Sequence, residues 1–508
     1  MELSKQQLKK IPATAPVNIP APAIFDFPER ILQFGTGVLL RALPDYFVDK
    51  ANKQDIFRGR IVVVKSTSVG GTDAFAQQDH LYTLTIRGIE DGRKVTENIL
   101  NASISRVLSA NGEWEEILAC AANPALQIVL SNTTEVGIAL TDDDIHALPP
   151  SSFPGKLLAF LYKRYELFQG ASSAGLVIVP TELITDNGDK LKEILQELSH
   201  RNKLEQPFIQ WLTECNHFCN SLVDRIVPGK LPAKEKEMME AQLGYEDDLM
   251  IMAEPYRLWA IESSSEEVKD ILSFSRADEG MIITPDINLF RELKLRLLNG
   301  THTFCCGLAF LAGFKTVKEA MEDEVLGGFI ERIMLDEIAT SITGPALTRE
   351  QATTFAAKVL DRFRNPYIEH QWLSITVQYS SKMRMRNVPL LVKYYEKHGK
   401  APVCMPLAFA AYLLFMKVEK SSNGFTGHDA NGASYAVQDE SAAHLARYWQ
   451  DSDPKEVVGK VLKDETLWGR DLSALPRFSA SVTTYLEKIM EKGCRSVTEE
   501  LYKGEQLL

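Results

Sequence analysis

The apolar run Ile31-Leu32-Gln33-Phe34 passes directly into Gly35-Thr36-Gly37 and then into a helical pattern from Val38 to Ala51. Few features restrict a fold as strongly. A strand that turns through two glycines into a helix is how the first βα unit of a dinucleotide-binding sheet begins. Glycine permits the tight turn, and its missing Cβ lets backbone N–H groups approach a pyrophosphate at the helix N-terminus. The strict G-x-G-x-x-G pattern would need glycine where this chain has Leu40, so the motif alone is weak. The reading predicts cofactor contacts at Phe34, Gly35, Thr36 and Gly37.

Further strands follow the same logic. Ile61 to Val64 is expected to end beside the adenosine ribose, where an acidic residue selects NAD. The chain instead offers Lys65-Ser66-Thr67-Ser68, which suits a 2′-phosphate equally well, so these residues leave NAD and NADP both open. Gln127 to Leu130 and Leu176 to Val179 run into the polar loops Ser131-Asn132-Thr133-Thr134-Glu135 and Pro180 to Gly188. Ligands of open parallel sheets bind beyond the carboxyl ends of strands. The loops therefore nominate Asn132, Thr133 and Glu135 for the cofactor, and Glu182 and Asn187 for the substrate rim; ordinary capped βα turns are the alternative. From about Asp286 strand signals thin out and long apolar or amphipathic helical patterns dominate, with a polar loop at Ser421 to Ser434. The expected architecture is α/β: an arm over 1–29, a Rossmann-type dinucleotide-binding domain over 30–287, and a mostly α-helical substrate domain over 288–508.

Composition narrows the function classes. Of 508 residues, 45% are hydrophobic and 24% charged, and the net charge is −12. That balance argues against nucleic-acid or anionic-membrane partners, which need a basic face. The proline-spaced arm lacks the apolar core of a signal peptide. The longest apolar runs, such as Met405 to Met416, fall short of the roughly 18 residues that span a bilayer and read as buried helices. Seven scattered cysteines fit a reducing cytoplasm better than a disulfide framework. Cys215-Asn216-His217-Phe218-Cys219 superficially resembles a metal site, yet no second cluster completes a ligand set and the segment reads as helix, so no metal is expected. A monomer and a homodimer both stay open.

The run Lys294-Leu295-Arg296-Leu297-Leu298-Asn299-Gly300-Thr301-His302 places a lysine, an amide and an imidazole in an otherwise apolar helix. On an α-helix Asn299 lies about 140° and His302 about 80° around from Lys294, so all three can lean toward one cleft. They suit a carbonyl reaction: a lysine in apolar surroundings exchanges a proton more readily, and an amide with an imidazole can hold an oxygen whose charge is changing. The plainer reading is a helix stop at Asn299-Gly300, a core histidine and a snorkelling lysine. Lys382-Met383-Arg384-Met385-Arg386 alternates cation and apolar side chain, so an extended conformation would point three cations to one face. Lys382 and Arg384 are the candidates for a substrate carboxylate; a charged edge strand is the alternative.

Lys-x-x-x-x-Asn-x-x-His after a nucleotide-binding half resembles the polyol-specific long-chain dehydrogenases, the mannitol dehydrogenase family, nearly end to end. The resemblance implies that Lys294 is the general acid/base and that Asn299 and His302 hydrogen-bond the reacting oxygen. Arg41 and Ala42 also match the usual continuation of the first turn. The segments Asn220 to Pro228 and Glu254 to Glu262 are further hallmarks that locate the substrate cleft and nominate Asp224 and Arg225, which could equally be a structural ion pair. Two positions depart from the mannitol type: Leu183 replaces an oxygen-binding asparagine, and Ser374 an arginine, while Lys382 is kept. Both departures, with Arg362 to Ile368, resemble the hexuronate branch. That branch implies NADH-dependent, reversible reduction of D-tagaturonate to D-altronate; fructuronate or a neutral polyol are the alternatives within the family, and a nucleotide-sensing module is the alternative outside enzymes.

Overall fold

The computed structural model describes residues 1–66, 71–133, 137–422, 424–450 and 453–505. The chain divides into two compact units, Met1–Gly88 with Lys94–Ile287, and Ile89–Arg93 with Asn288–Leu508.

The first unit is built on six parallel strands: β1 (Glu29–Phe34), β2 (Arg60–Lys65), β3 (Ile104–Ser109), β4 (Ile128–Ser131), β5 (Val177–Pro180) and β6 (His217–Phe218). Their order is β3-β2-β1-β4-β5-β6. This is the doubly wound arrangement, in which the order reverses beside β1 and opens a crevice at the carboxyl ends of β1 and β4. Both faces are covered. Ile31, Ile61, Val63, Ile128, Leu130, Val177 and Val179 enter one core, while Leu32, Phe34, Val62, Val64, Val129 and Ile178 enter the other. Burial on both sides is why these strands read as continuous apolar runs. Two three-stranded sheets complete the unit, one from Tyr82–Glu90, Arg93–Asn101 and Ile251–Ala253, the other from Ser221–Asp224, Leu258–Glu262 and Met281–Thr284. Leu3, Leu8, Ile11 and Ile24 of the arm pack into a third core with Leu100, Leu243 and Tyr245.

The helical pattern after the glycine turn is two helices, Val38–Ala42 and Pro44–Lys53, broken at Leu43. Pro44 offers no N–H to continue the first helix and disfavours helical geometry in the residue before it. On the second helix Asp45 is fully buried, and burial raises its carboxyl to about 8, with Gln33 its hydrogen-bonding neighbour at 3.4 Å. A carboxyl raised from 3.8 to about 8 on folding binds a proton in the folded state that the unfolded chain has lost. Stability is therefore expected to fall as pH climbs through that window. Asp45→Asn, which mimics the protonated form, should flatten the dependence. Parallel melting-temperature profiles for the two proteins between pH 4 and 8 would remove Asp45 as the cause.

The second unit is mainly helical. The run Met405 to Met416 forms the buried helix Cys404–Phe415. The polar stretch expected as a loop at 421–434 instead contributes to a three-stranded antiparallel sheet, Val418–Ser421, Gly424–His428 and Ser434–Val437. Its second turn is organised by Asp429, whose carboxylate accepts the N–H groups of Asn431 and Ala433. Among the described residues of this unit three stretches are π-helical: Lys294–Gly300, Ile333–Ile338 and Met383–Asn387. The wider π turn, with i→i+5 hydrogen bonding, occurs mostly as single insertions in α-helices and is frequent at functional sites. Among the described residues no helix is long and apolar enough to cross a membrane.

Candidate active site

In the first unit the glycine turn sits at the carboxyl ends of three strands. Gly35 donates to Val64 of β2, and Asn132 of the loop after β4 donates to the Phe34 carbonyl. Gly35 has φ +129°, and a Cβ there would lie 2.8 Å from Leu40 Cδ1 and 3.0 Å from the Asn132 carbonyl oxygen. Only glycine fits. Gly37 opens the helix Val38–Ala42, and nothing would meet a Cβ within 4 Å. Space therefore remains where a pyrophosphate would approach, and the residues present fit a dinucleotide. Thr36 is half-buried between them. Lys65 ends β2 and is buried; Thr67 and Ser68 beyond it, like Glu135, lie outside the described residues.

Several polar residues nominated for ligands are occupied by the protein instead. The Glu182 carboxylate, 2% exposed, accepts from Ser131 Oγ and from the N–H and hydroxyl of Thr133. Asn132 Nδ2 donates to the carbonyl and hydroxyl of Thr181. The loop after β4 is thus pinned to the end of β5, and the Glu182 carboxylate, nominated for the substrate rim, is engaged by that loop. Asn187 is fully buried: its amide donates to the carbonyls of Pro180, Glu182 and Ser221 and its oxygen accepts from Gly188 and Ser221. It cannot replace the asparagine lost at Leu183, which is itself exposed. The Arg225 guanidinium donates to the carbonyls of Glu254 and Ala42 and lies over the Tyr46 ring. It ties strands together, and Asp224 beside it is equally buried. Arg41 is used similarly, donating to the Leu249 carbonyl.

The second unit gathers the other candidates. The helix Asn288–Leu293 runs into the π segment Lys294–Gly300 and then into the helix Thr301–Leu311. A π turn is hydrogen-bonded i→i+5 and winds more slowly than an α turn, so Lys294 and Asn299 fall on one face, closer together than α geometry places them. Both are half-buried. His302 is buried, stacked on Phe363 at 4.2 Å, with the rings of His370 and Trp372 edge-on at 5.0 and 6.0 Å. Its Nε2 has no hydrogen-bond partner among the described residues. Burial first, then the positive potential of His370, Arg362, Arg386 and Lys382, holds it well below the usual histidine range. A neutral imidazole is a hydrogen-bond partner for an oxygen that gains charge during reaction.

The basic stripe is not extended. Lys382 ends the helix Tyr379–Lys382, and Met383–Asn387 is the π segment that follows. Five residues of alternation fit one face of a strand and also neighbouring faces of a helix, and the surrounding helices decide between them. Arg384 consequently points outward: it is exposed and reaches the Thr466 carbonyl at 3.4 Å. Lys382 and Arg386 turn inward, with Lys382 Nζ donating to the Ile375 carbonyl and Arg386 Nη1 to Thr303 Oγ1, one residue from His302. The two π segments are fastened to each other: Arg296 donates to the carbonyls of Met385 and Arg386, and Asn387 donates to that of Gly300. Ser374 is exposed and bonded to its own turn.

Residue patterning overlooked His370 and Arg362, although both stand in the segment that distinguishes the branches of the family. The Cys215–Cys219 segment is a helix end followed by β6 rather than a helix, because Asn216 turns the chain by donating to Trp211 and Leu212 and accepting from Leu176. All seven cysteines are free.

Family models match in two adjoining blocks, the mannitol dehydrogenase Rossmann domain over residues 29–271 and the mannitol dehydrogenase C-terminal domain over residues 286–490. An altronate oxidoreductase of Bacillus subtilis (strain 168) is 38% identical over 479 residues, covering 93% of this chain and 95% of that protein. One from Pectobacterium carotovorum is 38% identical over 482 residues, covering 93% and 96%. Among solved structures, Pseudomonas fluorescens mannitol 2-dehydrogenase in ternary complex with NAD and D-mannitol superposes with a TM-score of 0.67 at 24% identity, over 99% of this chain and 100% of that one. A substrate-free D-sorbitol dehydrogenase reaches a TM-score of 0.77 at 21% identity, over 97% and 99%. With both family blocks matched across most of its length, the chain belongs to the mannitol dehydrogenase family.

Proposed function

We propose that the chain is an NAD-dependent oxidoreductase that reduces D-tagaturonate to D-altronate and catalyses the reverse. The names of its altronate oxidoreductase relatives support the substrate. The NAD in the mannitol 2-dehydrogenase complex supports the cofactor. The observation in the site that carries the reading is His302, buried and held toward its neutral form, its Nε2 without a hydrogen-bond partner among the described residues, on the helix that continues the Lys294 to Asn299 segment. Phe34, Gly35, Thr36, Gly37, Asn132 and Thr133 would hold the dinucleotide at the carboxyl ends of β1 and β4. NADH, when bound, supplies a hydride to the ketone carbon. Asn299 and His302 steady the oxygen as charge gathers on it, and Lys294 delivers the proton that completes the hydroxyl. In the reverse direction Lys294 takes that proton back. A cytoplasmic location belongs to the same reading.

The test is oxidation of NADH and of NADPH followed against tagaturonate, fructuronate and fructose side by side. The expected outcome is the highest kcat/KM with NADH and tagaturonate. A preference for fructuronate or fructose would move the chain to another branch. Equal use of NADPH would assign the 2′-phosphate to Lys65 and its neighbours.

A further inference from the structure

We infer that Arg386, with Lys382, binds the carboxylate of the substrate, and that Arg384 takes no part. The inference rests on the reading of the substrate as a hexuronate and adds which side chains recognise its anionic end.

Charge pairing in the second unit carries the argument. Several other partly buried cations of this unit have acidic partners: Arg296 with Glu292, Lys318 with Glu369 and Arg364 with Glu331. The chain is rich in acids, with a net charge of −12. Lys382 and Arg386 are nevertheless half-buried with no carboxylate paired to either among the described residues, each satisfied only by a neutral oxygen. Their nearest ionisable neighbours are also basic or neutral: each charge acts on His302, that of Lys382 also acts on His370, and both act on Cys306. Two half-buried cations whose charges act on each other without a counter-ion among the described residues are unfavourable in the free protein, and an incoming carboxylate relieves that cost. Arg386 suits the task because its planar fork can give two parallel hydrogen bonds to a carboxylate, while its tether to Thr303 fixes it one residue from His302. The ketone and the carboxylate of one small sugar acid then meet adjacent residues of one surface.

Arg386→Met, Arg386→Lys and Arg384→Met are to be compared on tagaturonate and on fructose, with direct calorimetric binding of D-glucuronate, which carries the carboxylate but no ketone. Arg386→Met should lose roughly 10- to 150-fold in kcat/KM on tagaturonate, mostly through KM, and weaken glucuronate to a similar degree, with little change on fructose. Arg386→Lys should recover part of the loss, and Arg384→Met should behave as wild type. Unchanged glucuronate affinity in a folded Arg386→Met protein would overturn the inference, as would equal losses on both sugars. If wild type reduces no keto-hexuronate yet binds glucuronate through Arg386, the proposed reaction fails and the carboxylate site stands.

Discussion

Lys294→Ala is expected to lower kcat by about 10²–10⁴-fold, the usual worth of a positioned proton donor. Cofactor affinity should hardly change, because the residues fitted to the dinucleotide belong to the first unit. The amine stands five residues from Asn299 within the π segment, so the proposed proton donor and the amide proposed to steady the oxygen share a face. Removing the amine leaves Asn299 and His302 in place. The loss should therefore fall on the chemical step, and an added primary amine should restore part of the rate. Single-turnover reduction of the ketone separates this from binding. Turnover near that of wild type would take Lys294 out of the mechanism.

Glu337→Ala should cost about 3 kcal/mol of stability, the order expected when charge-assisted hydrogen bonds are removed from a buried helix start. The Glu337 carboxylate accepts three successive N–H groups, of Val403, Cys404 and Met405, at 2.6, 2.7 and 2.9 Å. These open the helix Cys404–Phe415, whose start has no other side-chain cap. Burial raises this carboxyl while the three donors oppose the shift. Glu337→Gln keeps an acceptor and should lose less. Denaturant unfolding checks both variants, and an Ala variant as stable as wild type would show that the helix holds its start without the cap.

The nucleotide-binding half was legible because its signals are local. Strands buried on both faces leave apolar runs, and a glycine between strand and helix marks a turn that no other residue can make. The Lys294 to His302 candidates were equally visible, since polar groups in an apolar helix stand out. Hydrogen-bond destinations were not visible: Glu182, Asn187 and Arg225 look like ligand groups in sequence, and only the fold shows each consumed by neighbouring backbone or by a loop. The basic stripe failed for another reason. Over five residues the choice between strand and helix rests on tertiary packing, here the clamp of Arg296 on the carbonyls of Met385 and Arg386.

The π turn at Lys294–Gly300 makes this helix sensitive to length rather than to composition. A turn of this kind accommodates one residue more than an α-helix would, so winding the same residues into regular geometry would swing everything beyond them by about 100°. That swing would carry the amide and the imidazole off the face of the amine without touching any of the three, whereas deleting one residue from this stretch would remove the extra residue and keep the helix beyond it in phase. Engineering aimed at a more regular helix of the same length here would thus work against activity.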